Sequence, residues 1–400
     1  MSTLNKSAFP SFKARAPLMA CLATILSLAL IIFYKQNGQL TALFLIGICL
    51  GYVLYQASFG FTSSFRVLLA DRRSAGFRAQ MWMLGVACCL FFPTLAVGAL
   101  FGQELSGFEA PLGVALMLGA TVFGIGMQLG GGCGSGTLFT VGGGNTRMVV
   151  TLLFFIIGSV IGVVHRDWWD ARPSIDAISL LQVWGWKVAL VINCTIFYVA
   201  YQIAAKLEIK RHGQLEPISG AGHAPITLKK IPLLAGALIL AVLNFLTLLI
   251  AGRPWGITSA FGLWGGKFLQ NVGAPIETWS GYSDPGMQQV LHDSVLADIT
   301  SVMDFGIIFG ALFASIYMGK FKPTWRISSK HLAAAILGGL LLGYGARLAY
   351  GCNIGAFFSG IASGSLHGWV WIIFAMLGNY IGVALRPRFD LPVERKLSAC

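Results

Sequence analysis

Ten apolar runs, each close to the length of a bilayer crossing, leave this chain few ways to fold. A hydrocarbon core of about 30 Å takes roughly 20 apolar residues as a helix. The runs are 16–34, 39–55, 79–102, 110–129, 148–165, 186–204, 231–252, 294–318, 332–350 and 368–385. The second is short and leads directly into the stretch that follows. Backbone polar groups inside lipid must be satisfied by the chain itself, which leaves helices or closed barrels. Runs this long predict helices, hence an all-α polytopic membrane protein of about ten hydrophobic segments. Only 11% of the 400 residues are charged and 56% are hydrophobic. A soluble domain carries roughly 25% charged residues, so lipid must solvate much of the surface. The first run follows Lys6, Lys13 and Arg15, and no small-residue cleavage site occurs at Lys35-Gln36-Asn37-Gly38. It predicts an uncleaved first span rather than a secretory signal.

The formal charge of +13 sits in short tracts between apolar runs, as expected of loops beside anionic lipid and not of nucleic-acid binding. Arg66, Arg72, Arg73 and Arg78 mark one loop, and Lys206, Lys210, Arg211, Lys229 and Lys230 mark the central linker. Lys320, Lys322, Arg326 and Lys330 mark a third, and Arg386, Arg388, Arg395 and Lys396 the tail. The intervening loops are acidic or balanced, with Glu104 and Glu109 in one and Glu277, Asp284 and Asp293 in another. The alternation predicts a multi-pass protein of a bacterial inner membrane with both termini cytoplasmic. The expected organisation is a tail at 1–15, a first membrane repeat at 16–204, a cytoplasmic linker at 205–230, a second repeat at 231–385 and a tail at 386–400.

The halves resemble each other twice. Phe59-Gly60-Phe61-Thr62-Ser63-Ser64-Phe65 matches Trp255-Gly256-Ile257-Thr258-Ser259-Ala260-Phe261, and Leu129 to Gly136 matches Leu348 to Gly355. The motifs follow the second and fourth spans in one half and the seventh and ninth in the other. An odd shift of five spans brings corresponding motifs in from opposite faces. Inverted repeats with broken helices near the midplane are a transporter plan, and a channel can share it.

Gly130 to Gly136 reads GGGCGSG, a sequence that cannot remain helical cheaply, since glycine costs about 1 kcal/mol per residue against alanine. Irregular backbone at membrane depth belongs where it is buried in protein or lines a wet cavity. Glycines let a solute approach backbone N–H groups, and a half-helix N-terminus favours an anion. The candidate solute path therefore takes Gly132, Cys133, Gly134, Ser135, Gly136 and Thr137, with Gly351, Cys352, Asn353 and Gly355 from the second half. Tight helix packing is the competing explanation of the glycines. Thr62, Ser63, Thr258 and Ser259 bind solute or satisfy freed backbone groups. Arg347, one turn before the second cysteine, is a path residue or an interfacial anchor. Asp304 is open to proton coupling or to a structural pairing with Arg347 or Lys267. Arg66 reads as an anchor of the cytoplasmic face, and His292 and His367 have no assigned role.

Eight cysteines are present, none in a CxxC or CxxH pattern, so neither a disulfide framework nor a metal site is expected. Cys21, Cys49, Cys88, Cys89, Cys194 and Cys400 read as small hydrophobes. No cofactor or catalytic residue is assigned. A membrane sulfurtransferase would need a base or cation beside its nucleophilic cysteine, and none adjoins Cys133 in sequence.

GMQLGGGCGSGTLF at 126–139, GARLAYGCNIGAFF at 345–358 and FGFTSSFR at 59–66 resemble the YeeE/YedE family of sulfur-transport membrane proteins, and most closely its selenium-linked branch. The resemblance covers nearly the whole chain apart from the N-terminal tail and the linker. It implies two repeats whose re-entrant loops converge on a narrow, hourglass-like centre. It also implies a path on which thiols, here Cys133 and Cys352, act as weak S–H donors. Thiosulfate-carrying members have a third cysteine in the first loop, where this chain has Gly60. A small sulfur- or selenium-containing species, with selenium favoured, is the implied solute. Thiosulfate or another anion is the alternative, and the implied cytoplasmic companion is a TusA-like sulfur carrier.

Overall fold

The computed structural model describes residues 12–100, 102–219 and 231–394. Lys6 of the expected tail, Lys229 and Lys230 of the linker, and Arg395, Lys396 and Cys400 lie outside the described residues; for Lys13 and Arg15 only the backbone is described.

Long apolar windows become helices, and ten of the described stretches are long and apolar enough to cross a membrane. In chain order the helices are α1 (Phe12–Lys35), α2 (Gly38–Gln56), α3 (Phe61–Asp71), α4 (Ala75–Val97), α5 (Val114–Gly130), α6 (Gly134–Gly142), α7 (Thr146–Val164) and α8 (Arg166–Asp170). There follow α9 (Leu180–His212), α10 (Leu233–Ala251), α11 (Ser259–Asn271), α12 (Pro285–His292), α13 (Ile299–Tyr317) and α14 (Ser329–Leu348). A π-helical segment (Asn353–Ser359) runs into α15 (Gly360–Ala362), and α16 (Leu366–Leu385) completes the membrane part. Two short antiparallel strand pairs, Ala99–Leu100 with Gln103–Glu104 and Leu112–Gly113 with Ser174–Ile175, close loops.

The packing exchanges the two halves. α2 lies on α13 as α10 lies on α4, α7 on α14 as α16 on α5, and α1 on α13 as α9 on α4, while α5 and α14 face each other. This is a pseudo-two-fold relation, and with an odd shift of spans the repeats are inverted. By the same pattern α9 is the counterpart of α1, so the second repeat begins one span earlier than position 231. Nor does the stretch after 204 begin as a linker. α9 continues to His212, and its buried Glu208 meets Arg78 at 3.4 Å and accepts from the Ser74 hydroxyl and backbone N–H. Burying both charges is tolerable only because each has several partners.

The basic loops share one face. Arg66 pairs bidentately with Glu394, Asp71 meets Arg211 and Arg73, and Lys330 meets Asp390. The loops 98–113, 165–179 and 252–258 meet on the other face, where Ser106 donates to Gly252 and Leu180 to Gly364. The third span ends at Val97, because Gly98 turns left-handed at φ 80°. At Gly185 the backbone of α9 is non-helical.

Lipid gives helices no hydrophobic reason to associate, so small residues that let backbones touch hold them together. Gly47 and Gly51 of α2 cross Gly306 and Gly310 of α13. A Cβ added at Gly51 would lie 2.7 Å from the Ile307 Cα, and one at Gly310 would lie 2.8 Å from the Ile48 carbonyl carbon. Gly51→Val and Gly310→Val should each cost about 3 kcal/mol and abolish a monodisperse size-exclusion peak. Gly256→Ala, which meets nothing within 4 Å, should leave the peak unchanged.

Candidate functional site

Four helix breaks converge between the halves. α5 ends when Gly131 takes φ 94°, and α14 ends when Tyr350, at the matching position, takes φ 58°. Tyr350 is thus a non-glycine residue in the left-handed region. Two residues after each turn comes a cysteine in nearly the same backbone conformation: Cys133 at φ −89°, ψ −165° and Cys352 at φ −103°, ψ −167°. Each occupies the cap position of the half-helix that follows. The Cys133 carbonyl accepts from the Thr137 N–H at 2.8 Å and the Cys352 carbonyl from the Ala356 N–H at 2.9 Å.

Both thiols are buried, Cys133 at 1% and Cys352 at 0% exposure. The Cys133 sulfur lies 3.4 Å from the Ser135 hydroxyl, and the Cys352 sulfur accepts from the Ile354 N–H at 3.4 Å. Gly134 separates the loops, since a Cβ there would stand 2.9 Å from the Cys352 sulfur and 3.2 Å from an Ile257 methyl. The two half-helices therefore aim their N-termini, with their partial positive charge, at one central region from opposite faces.

Two cavities lie on either side of that centre. One, about 390 Å³, opens on the face away from the basic loops. It is lined by Gly256, Thr258, Ser259, Gly351 and Gly355 together with Arg166, Arg253, Arg347 and Tyr350. The other, about 270 Å³, opens on the basic face and is lined by Gly60, Thr62, Ser63, Gly132, Cys133 and Gly136 with Tyr55 and Lys320. Between the two cavities lies a waist that holds both buried thiols. Arg166 of the first mouth is paired with Asp170, which lines the same cavity, so Arg253 and Arg347 there and the Lys320 ammonium of the other mouth favour an anion.

Of the residues singled out from sequence, Ser135, Thr137, Asn353, Thr62 and Thr258 are buried at or beside the waist. Thr137 is occupied, its hydroxyl donating to the Cys133 carbonyl at 2.8 Å. Ser63 donates to the Gly60 carbonyl at 3.1 Å and Ser259 to the Thr300 hydroxyl at 3.0 Å. The Thr62 hydroxyl and both polar atoms of the Asn353 amide are buried without a partner. Such groups are costly to leave without a partner.

Arg347 is not paired with Asp304. Its guanidinium donates to the Ser259 carbonyl at 3.2 Å, leaving Nε unpartnered. Lys267 is likewise turned away, donating to the Leu291 and Asp293 carbonyls at 2.7 and 2.5 Å. His292 meets Glu277 on the surface, and buried His367 bonds the Ser365 hydroxyl at 2.7 Å. Among the described residues no group of three His, Cys, Asp or Glu side chains is arranged to hold a metal.

Sequence reading missed Gln128, the counterpart of Arg347. Its amide donates to the Thr62 carbonyl at 3.1 Å and to the Asn379 side chain at 2.6 Å. The two residues tether the starts of α3 and α11, and the 219-residue register that aligns the cysteines also aligns them. Also missed was an aromatic seam, in edge, tilted or stacked contact from Phe65 through Phe61, Phe357, Trp371, Phe123 and Phe155 to Phe261. Its ends are the equivalent phenylalanines of the two first-loop motifs. Gln128→Leu strands the Thr62 carbonyl and should lower stability by about 2 kcal/mol. Thermal unfolding in detergent checks this, with Gln128→Asn recovering part of the loss.

Paired half-helix N-termini at a closed waist between two cavities define a membrane protein built for moving a small solute. Residues 56–381 match the Sulphur transport family, and the chain belongs to that family. It is similar to the thiosulfate transporter TsuA of Spirochaeta thermophila, with 28% identity over 359 residues, 84% of this chain and 96% of that protein. TsuA of Escherichia coli is 24% identical over 356 residues, 86% and 94% of the two chains. The probable transporter YedE of Escherichia coli is 37% identical over 155 residues, and the match spans 38% of this chain and 37% of that protein.

Proposed function

We propose that the protein imports a small, soft sulfur- or selenium-containing anion through the waist formed by Cys133 and Cys352. The observation that carries this reading is the matched pair of buried thiols, each capping a half-helix and approached from opposite faces. Thiols are soft, polarizable groups, and each can offer an S–H to a sulfur or selenium atom while the half-helix N–H groups meet oxygen. The path runs from the cavity lined by Arg347, Thr258, Gly351 and Gly355, past Asn353, Gly134 and Ser135, to the one lined by Gly132, Gly136, Thr62 and Ser63. Thr137 holds the first loop in shape. The basic face is read as cytoplasmic, in a bacterial inner membrane, and a TusA-like sulfur carrier is the expected recipient there.

Two substrate classes are favoured by different observations. The TsuA relatives, similar over nearly their whole length, favour thiosulfate. Gly60, lining the inner cavity where a cysteine would supply a third thiol, favours a selenium compound.

Uptake by purified protein in liposomes, comparing labelled thiosulfate with selenite and with selenide-generating mixtures, decides between them. Cys133→Ala and Cys352→Ala should each reduce uptake at least about tenfold, the loss of one hydrogen bond at a desolvated site, with insertion unchanged. Gly60→Cys should shift preference toward thiosulfate if selenium is the native solute. Undiminished uptake by both alanine variants would refute the thiol path.

A further inference from the structure

The two-fold is broken at one buried position of each half. Gln80 is the sixth residue of α4 and Asp304 the sixth residue of its counterpart α13. Both side chains are fully buried, and the polar atoms of both are without a hydrogen-bond partner. A neutral amide stands in one half and a carboxyl in the other.

Helical spacing sets where the carboxyl points. Met303, Gly306, Ile307 and Gly310 form the stripe of α13 that meets α2, whereas Ile308 and Ala311 meet Gly142 of α6. Asp304 lies one turn before Ile308 on that second stripe. α6, capped by Cys133 in the centre, ends at Gly142, so a step back along α13 is a step toward the waist. Asp304 therefore lies on the face of α13 that packs against α6, toward the end capped by Cys133.

Among the described side chains of the neighbouring elements, no cation neutralises it. α6 brings no titratable side chain, α2 brings Cys49, Tyr52 and Tyr55, and α1 brings Cys21, with Tyr34 and Lys35 at its exposed end. On α11, Lys267 is committed to two carbonyls, and in the loop before it Arg253 donates to Thr300. Asp298, at the start of α13, adds a like charge spent on capping Ser301. An ionised carboxylate in a dry membrane interior without counter-ion or donor costs several kcal/mol, whereas the acid costs far less.

We propose that Asp304 holds a proton and, as a neutral acid, donates its O–H to the anion at the waist, so that transport requires this proton. Asp304 is then a solute-binding residue alongside the thiols, and it supplies what an ionised carboxylate would oppose, namely hydrogen bonding without like-charge repulsion. The inference rests on the proposed anion transport, but its key element can be read without transport.

The experiment is infrared difference spectroscopy of native protein and Asp304→Asn in lipid vesicles across pH, paired with thiosulfate and selenite uptake by native, Asn and Ala variants. Asparagine keeps a donor and cannot ionise, and Gln80 shows that an amide is accommodated at the equivalent site. The native protein should show a protonated-carboxyl stretch at neutral pH that the Asn variant lacks. Native uptake should fall at alkaline pH, Asp304→Asn should retain uptake with a flat pH profile, and Asp304→Ala should lose about tenfold at every pH. Absence of the stretch at neutral pH overturns the proposal whatever uptake does. An Asn variant with the native pH profile overturns it as well. If native protein takes up neither anion, the assigned substrate class fails, and the infrared result still decides the state of Asp304.

Discussion

Unsatisfied backbone at membrane depth is the constraint on which the rest of the structure depends. Each helix break strands N–H and C=O groups where no lipid can bond them, and this fold places four breaks near its centre. They persist because each is matched to a partner. Gln128 holds the Thr62 carbonyl, Arg347 holds the Ser259 carbonyl, and each waist cysteine lends its carbonyl to the half-helix it begins. Arg386 and Arg147 do the same at the basic face, donating to the carbonyls of Gln128 and Leu129. The glycine crossings of α2 with α13, and of α5 and α7 with α14, bring the helices close enough for these side chains to reach. Loosening the crossings would strand the breaks.

Function follows from the same breaks. A half-helix that stops in the membrane presents N–H groups along its axis, and two of them, arriving from opposite faces, present them to one point. In the proposed function, a thiol at each cap leaves that point apolar when empty, yet able to donate to a soft atom. The guanidiniums of one mouth and the ammonium of the other give an anion a reason to approach both sides.

Much of this was legible in the sequence because the physics that produces it is local. Span length, loop charge and two glycine-cysteine motifs in register report on the bilayer, the faces and the repeat. What was not legible depends on contacts distant in sequence. The Ser/Thr motifs at 62–65 and 258–261 read as loops, but they begin the short helices α3 and α11, whose length falls below that of a span. The expected linker hid the end of α9, because Glu208 looks like a loop residue until Arg78 is seen opposite it. Gln128 sits in an apolar run where a lone amide carries no signal until its partners Thr62 and Asn379 are placed beside it. Arg347 was visible as a charge in a span, but Ser259, its partner, was not.

The most direct test of the account is the position of the bound solute, by cryo-electron microscopy of the protein in lipid nanodiscs saturated with thiosulfate or, in parallel, a selenium analogue. The account predicts solute density between the Cys133 and Cys352 sulfurs, within reach of the Asn353 amide and of the N-termini of α6 and the π-helical segment. Density confined to the outer cavity or to the lipid-facing surface, with the waist still empty at saturation, would contradict it.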